Sequence, residues 1–220
     1  MTTFHKGVDH KHTPSGRWAD VQANPNSPGA GLHIIAACKI MSPSQLVDAA
    51  IIGEFLTKPI ARKHLNWYLT TGRGADFNED ANIKLMLETD TGIQAEIISR
   101  LKPKRTTPKF SDSFKIEQSM YDNQDLRFAF GAVDIFDFEV DYTTDTVHGW
   151  FQDRYEWHPV YTGLYVMHPG DSPRETNCVH AALVELQSSG AADFWMKGEA
   201  TVSLSTIIAS TSPAAGGGNW

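Results

Sequence analysis

The order of two hydrophobic periodicities predicts an α+β fold, with an N-terminal helical region packed on a twisted antiparallel β-sheet that contains one inserted helix. Between residues 44 and 101, apolar residues recur every three or four positions, a spacing typical of helices. From Phe114 onward they alternate with polar residues, which is typical of strands. Helical and strand patterns that lie in separate runs of the chain indicate an α+β protein.

Composition divides the chain into four consecutive regions. We expect a flexible N-terminal arm over residues 1–30, which are rich in Pro and Gly and poor in large apolar groups. A helical region over residues 31–105 follows, and then an antiparallel sheet region over residues 106–210 that carries the catalytic groups. The Gly- and Ala-rich residues 211–220 are expected to form a flexible tail.

The helical region shows recognisable start and stop signals. Ser42 or Ser44 is suited to cap the first helix, and Pro59 suits the first turn of the second. We interpret Gly72-Arg73-Gly74 as the end of that second helix followed by a turn, because a lone Gly-x-Gly is weak evidence for a phosphate loop. Two further helices are predicted at residues 80–88 and 92–101.

The sheet region contains a predicted hairpin, because residues 135–142 alternate cleanly, residues 143–146 form a turn, and residues 147–155 return as a strand. A helix is predicted at residues 177–188 and a last strand at residues 192–204. Three acidic residues, Asp137, Glu139 and Asp141, share one face of the first hairpin strand. We expect that face to be solvated.

Charge and hydropathy exclude several classes of protein. The net charge is −7 and the isoelectric point about 5.7, which argues against a broad nucleic-acid-binding surface. The apolar runs are shorter than the roughly 18 residues that a transmembrane helix needs, so we predict no transmembrane segment. The first 28 residues lack the apolar core of a classical signal peptide.

A cluster of polar side chains marks the end of the predicted hairpin. Asp153, Tyr155, Glu156 and His158 lie where the return strand gives way to a loop. Two carboxylates three residues apart at a strand end can converge on a metal ion or a phosphate, and they push each other's pKa values apart, which suits acid–base work. The alternative is a polar strand end and an ordinary loop.

A second group of polar residues precedes and opens the helix at residues 177–188. His180 lies in its first turn, where the positive end of the helix dipole favours an anion and a neutral imidazole. Arg174 lies just upstream and is suited to bidentate binding of phosphate, although a surface arginine is an equal alternative. Asn177 is a good N-cap, which is its default role.

This pattern resembles colicin M and related bacteriocins, which degrade the peptidoglycan precursor lipid II. The matching residues are Asp153-Arg154-Tyr155-Glu156 at the end of a strand, His180 at the start of a helix, and residues 189–200, which resemble the helix-to-strand return of the family. The resemblance covers residues 128–204. In this chain Glu156 replaces the second Asp of the motif, the loop before His180 is longer, and Ala181 stands where the family has Arg.

The resemblance implies hydrolysis of a polyprenyl-pyrophosphate ester. Asp153 and Glu156 would bind a divalent ion, Mg²⁺ or Ca²⁺, or orient water, and His180 would be the general acid or base. Tyr155 would position a carboxylate or the substrate. The groups implied to bind substrate are Arg174, Arg154, His158 and Asn177. The implied partners are lipid II and a cognate immunity protein, and the protein would be secreted or injected and act in the target-cell periplasm.

Two other functions fit the same residues. The chain is also suited to be a secreted effector with a different target in the cell envelope. Alternatively it is a binding or structural module without enzymatic activity, in which case Asp153, Glu156 and His180 would be dispersed over the surface.

Overall fold

The computed structural model describes residues 2–7, 40–53, 55–101, 108–157 and 178–209. The chain forms two compact units that are interleaved along the sequence. The first unit comprises Met1–Asp9, Ala75–Tyr155 and Trp195–Trp220, and the second comprises His10–Gly74 and Glu156–Phe194. The predicted division into four consecutive regions stays a prediction.

The α+β class is confirmed, because the described residues form seven α-helices and one mixed sheet of five strands. In chain order the elements are α1 (Pro43–Gly53), α2 (Pro59–Asn66), β1 (Phe77–Asn78), α3 (Asp80–Thr89), α4 (Thr91–Arg100), β2 (Lys109–Ile116), α5 (Gln124–Phe130), β3 (Val133–Asp141), β4 (Thr146–Tyr155), α6 (Cys178–Glu185), β5 (Phe194–Ser203) and α7 (Leu204–Ala209). A π-helical turn spans Trp67–Thr71, and short 3₁₀ turns span Gln118–Met120 and Leu186–Ser189.

The sheet has the strand order β1-β5-β4-β3-β2. The predicted hairpin is confirmed, since β3 and β4 pair antiparallel with Phe136 opposite Phe151 and Asp141 opposite Thr146. β2 pairs antiparallel with the other edge of β3. The sheet is mixed rather than purely antiparallel, because the short strand β1 pairs parallel with β5. β1 is too short to show an alternation of apolar and polar residues in the sequence.

One face of the sheet carries the core of the first unit. Strands expose alternate side chains on opposite faces, and the residues of β3 and β4 on this face are almost wholly buried. Gly149 leaves room for an aromatic ring here, since a Cβ at that position would lie 2.7 Å from Phe136 Cζ. Phe114 and Phe136 pack edge to face with centroids 5.4 Å apart. Helix α3 contacts α4, α7 and β4, and α7 also contacts α4 and β4.

Asp90 joins two segments of the first unit from a fully buried position. It is the N-cap of α4, and its Oδ1 accepts the Ile93 backbone N–H at 3.1 Å. The same carboxylate accepts the backbone N–H groups of Asp122 and Asn123 at 3.3 and 3.0 Å. Asn123 in turn caps α5, a helix that the sequence analysis did not predict. One carboxylate therefore fixes the start of α4 against the start of α5.

The second unit is helical in its described part. α1 packs against α6, and the hydroxyl of the fully buried Tyr68 donates a 2.9 Å hydrogen bond to the Leu183 carbonyl of α6. After the π-helical turn, Arg73 and Gly74 have φ values of 47° and 81°. This left-handed turn confirms the interpretation of Gly72-Arg73-Gly74 as a helix end.

Among the described helices, none combines the length and the apolar character that crossing a bilayer requires.

We predict that Asp90→Ala lowers the free energy of unfolding by about 2–4 kcal/mol, because it removes a helix cap and leaves buried backbone N–H groups without an acceptor. Urea denaturation measures this change. Asp76→Asn is the control, since Asp76 is exposed and its substitution should cost less than about 0.5 kcal/mol. Equal stability of Asp90→Ala and Asp76→Asn would contradict the assignment.

Tyr121 makes the stability of the first unit sensitive to alkali. Burial raises the pKa of Tyr121 well above its usual value near 10, and the charges of Asp90, Asp153 and Glu79 raise it further. A raised pKa in the folded state means that the unfolded chain loses this proton first. The stabilisation is therefore complete below about pH 10 and declines as the pH rises above that value.

We expect Tyr121→Phe to flatten the loss of stability between pH 9 and about pH 11, as measured by urea denaturation at each pH. Near neutral pH the substitution should change stability by less than about 1 kcal/mol, because the Tyr121 hydroxyl has no hydrogen-bond partner within the described part of the chain. An unchanged alkaline slope in the variant would show that other groups carry the effect.

Candidate functional site

Asp153 lies near the end of β4 on the core face of the sheet and is only 5% exposed. Its Oδ1 accepts the Arg154 backbone N–H at 2.8 Å, and its Oδ2 accepts the Asp134 backbone N–H of β3 at 3.2 Å. Both carboxylate oxygens are thus held by the main chain of the hairpin. These two hydrogen bonds fix the orientation of the carboxylate.

The pleat of β4 separates the residues of the motif. Tyr155 follows Asp153 on the same face, is 7% exposed and has a buried hydroxyl. Arg154 projects from the opposite face, where its guanidinium carbon lies 5.3 Å from the centroid of the Trp195 ring. The carboxylate and the guanidinium of neighbouring residues are therefore presented on different sides of the strand.

Glu156 and Trp157 continue the motif in the second unit. The Trp157 ring meets the Tyr68 ring edge to face at a centroid distance of 6.5 Å. Tyr68 also donates a hydrogen bond to the Leu183 carbonyl of α6, so this tyrosine contacts both Trp157 and α6. Burial raises the pKa of Tyr68, which keeps its hydroxyl available as a donor.

His180 lies in the first turn of α6, as predicted, and one turn before Leu183. His158, Arg174 and Asn177 lie outside the described residues. Asp153, Arg154 and Tyr155 belong to the first unit, whereas Glu156 and His180 belong to the second. The assignment of these residues to one catalytic site stays a prediction.

The N-terminal residues 2–7 lie along the polar face of the sheet, which the sequence analysis did not anticipate. Lys6 forms a parallel bridge with Gln152, and the Gly7 N–H donates to the Gln152 carbonyl at 2.8 Å. The Trp150 indole N–H donates to the Thr3 carbonyl at 3.0 Å. At the far end, the Thr2 hydroxyl donates to Glu199. We call residues 2–7 the N-terminal strap.

The strap corrects one expectation about the polar face. Asp137 was expected to be solvated, but it is 4% exposed, and Nδ1 of His5 lies 2.9 Å from its Oδ2. The pattern of β3 alone could not predict this burial, because the covering residue lies 132 positions away. Glu139 and Asp141 are partly exposed, and each forms an ion pair with Lys109 at the sheet edge.

Three cations gather on aromatic rings of the polar face. The Lys6 ammonium lies 5.1 Å from the Trp195 ring centroid, on the ring that Arg154 also contacts. Lys197 lies 4.4 Å from the Phe4 ring centroid. The alternation over residues 194–204 already placed Trp195 and Lys197 on one face of a strand, but nothing in the sequence paired them with the strap.

The described residues contain no group of three or more His, Cys, Asp or Glu side chains arranged to hold a metal ion. Each oxygen of Asp153 accepts a backbone N–H group. The Mg²⁺ or Ca²⁺ site at Asp153 and Glu156 stays a prediction.

In comparisons with known proteins, the chain matches no protein-family model, no curated protein sequence and no solved structure.

Proposed function

We propose that the protein is an antibacterial effector that hydrolyses the polyprenyl-pyrophosphate ester of the lipid-linked peptidoglycan precursor. The observation that carries this proposal is the order of elements around the motif. β4 ends at Tyr155 of the motif Asp153-Arg154-Tyr155-Glu156, α6 has His180 in its first turn, and β5 follows. This strand–helix–strand order, with an acidic motif and a histidine at those positions, is the order that the colicin M resemblance implies.

The proposed reaction is attack of water on a phosphorus atom of the pyrophosphate. The new bond joins the water oxygen to phosphorus, and the bond from phosphorus to the leaving oxygen breaks. His180 takes the proton from water as the general base, and the protonated imidazole returns a proton to the leaving oxygen. The products are the two halves of the ester with the elements of water added across the broken bond, so the reaction needs no oxidant and no reactant besides water.

The fixed carboxylate of Asp153 supports a positioning role in this reaction. Because its oxygens are already bound by main-chain N–H groups, its location does not change when substrate arrives. Groups that are held in place before the reaction contribute to catalysis without a cost of reorganisation. Tyr155 and Glu156 follow on the same chain and are proposed to orient water and substrate beside it.

The charge of the substrate must be neutralised locally, since the chain as a whole carries a net charge of −7. Arg154 and Arg174 are proposed to supply that neutralisation, in place of the arginine that Ala181 replaces. The proposed steps do not use a metal ion.

We predict that the protein kills bacteria when an added signal exports it to the periplasm and not when it stays in the cytoplasm. The sugar-peptide head of the lipid-linked precursor is exposed in the periplasm, so only the exported protein meets it. Growth curves of the two strains at matched expression measure the difference. Equal killing from the cytoplasm would refute the lipid-precursor proposal and favour another effector target. No killing from either compartment would favour a binding module.

We predict that Asp153→Asn and His180→Ala each reduce hydrolysis of the purified lipid-linked precursor at least about 100-fold, as measured by chromatography of the released head group. Asp137→Asn is the matched control, because it removes a similarly buried carboxylate from the neighbouring strand outside the motif. Asn offers only one acceptor oxygen, so both Asn variants should also lose stability.

The assay is therefore run at a temperature at which circular dichroism shows every variant to be folded. Full activity of folded Asp153→Asn or folded His180→Ala would remove that residue from the site. An equal loss of activity in Asp137→Asn would show that the Asp153 effect is structural.

A further inference from the structure

We infer that Lys6 and Arg154, held on the ring of Trp195, form a binding site for a phosphate-bearing anion on the polar face of the sheet. This inference deepens the proposed function and rests on it for the identity of the natural ligand, a pyrophosphate ester. It adds Lys6 of the N-terminal strap and Trp195 of β5 to the residues that the motif itself suggests.

The geometry brings two positive charges to one aromatic ring. The Lys6 Nζ and the Arg154 Cζ lie 5.1 and 5.3 Å from the Trp195 centroid, so the two charges are no more than about 10 Å apart. All three residues belong to the first unit. The indole holds both flexible side chains by cation–π attraction, which reduces the rotamer entropy that an incoming anion would otherwise have to remove.

Within the described residues, neither Lys6 nor Arg154 has a carboxylate within ion-pair distance, and the buried Arg154 Nε has no hydrogen-bond acceptor. Several other cations of the first unit, in contrast, do have carboxylate partners. Arg100 pairs with Glu96 and Asp112, Lys109 pairs with Glu139 and Asp141, and Lys115 pairs with Glu117. Two cations within about 10 Å of each other and without a counter-charge repel each other, and a bound anion would reduce that repulsion.

Lys197 adds a third positive charge to the same surface. It lies two residues after Trp195 on β5, hence on the same face, and over the ring of Phe4 of the strap. Among the described residues it too lacks a carboxylate partner within ion-pair distance. Three positive charges suit a ligand with several negative charges, such as a pyrophosphate, better than a single carboxylate. The planar guanidinium of Arg154 is also suited to bidentate binding of phosphate oxygens.

The anion site adjoins the proposed catalytic carboxylate. Arg154 directly follows Asp153 in β4, and Gly7, which follows Lys6, approaches Asp153 so closely that a Cβ there would overlap its Oδ1. The strap thereby brings a cation to the strand end that carries Asp153. A pyrophosphate bound by Lys6 and Arg154 would lie beside the motif rather than at a distant surface.

The test is isothermal titration calorimetry of the full chain with inorganic pyrophosphate, with inorganic phosphate, and with a polyprenyl pyrophosphate in neutral detergent micelles. We expect pyrophosphate to bind more tightly than phosphate and to bind less tightly as salt is added. Lys6→Gln and Arg154→Gln should each weaken binding about tenfold. Trp195→Leu keeps both charges and removes the ring that holds them, so it should also weaken pyrophosphate binding.

Lys84→Gln is the matched control, because Lys84 is an exposed cation of α3 that already pairs with Glu88, and it should bind pyrophosphate as the wild type does. Circular dichroism establishes that each variant is folded. If Arg154→Gln does not fold, Lys6→Gln decides, since the bridge of Lys6 to Gln152 uses only backbone atoms. Absence of pyrophosphate binding by the wild type, or wild-type binding by folded Lys6→Gln, would overturn the inference.

The same variants separate this inference from the proposed function. One outcome is that the protein binds pyrophosphate through Lys6 and Arg154 and yet fails to hydrolyse the lipid-linked precursor. That outcome would support the anion site and refute the proposed reaction. If Lys6→Gln hydrolyses the precursor with wild-type kcat and KM, the proposed reaction is supported and the anion site is refuted. If both are right, Lys6→Gln should raise KM more than it lowers kcat.

Discussion

Buried carboxylates and the donors that satisfy them determine how the first unit is assembled. Asp90, Asp137 and Asp153 are all at most 5% exposed, and an unpaired charge at such positions would cost several kcal/mol. Each is satisfied differently. Asp90 accepts backbone N–H groups from two segments, Asp153 accepts them from two strands, and Asp137 is approached by the imidazole of His5. A buried carboxylate is therefore given hydrogen-bond donors at each of three places: the helix junction, the hairpin end and the strap.

Because successive side chains of β4 point to opposite faces of the sheet, the motif presents different groups on the two faces. Asp153 and Tyr155 lie on the side that faces the core, where backbone N–H groups fix the carboxylate. Arg154 lies on the side that faces the strap, where Trp195 holds it. A strand that alternates in this way can present acidic and basic groups within a few ångströms and keep them from neutralising each other.

Much of the fold followed from sequence periodicity, and the exceptions have physical reasons. The hairpin of β3 and β4 was predictable because both strands are long and joined by a polar turn. β1, α5 and α7 were not predicted, because segments of two, seven and six residues are too short to show a period. The strap was missed because its contacts are with residues far away in the sequence, and a polar hexapeptide has no pattern that indicates them.

The candidate site was predictable to a similar extent. The strand end at Tyr155 and the position of His180 in the first turn of a helix followed from the motif and its flanking patterns. The burial of Asp153 did not, because it depends on the Asp134 N–H of the neighbouring strand. The cations of Lys6 and Lys197 were also missed, since their grouping requires the strap and β5 to meet on the sheet.

The interleaving of the two units has a consequence for synthesis. The strap binds Trp150, Gln152 and residues near 195–199, so residues 2–7 are synthesised well before the partners that they contact. The first unit also needs β5, which lies between β1 and β4, before the strand order is complete. Pairings over such separations are slow to form, so an incomplete chain would expose the polar face of β3 and β4 without its cover. In a nascent chain, Lys6 of the strap therefore stays apart from Trp195 until β5 has been made.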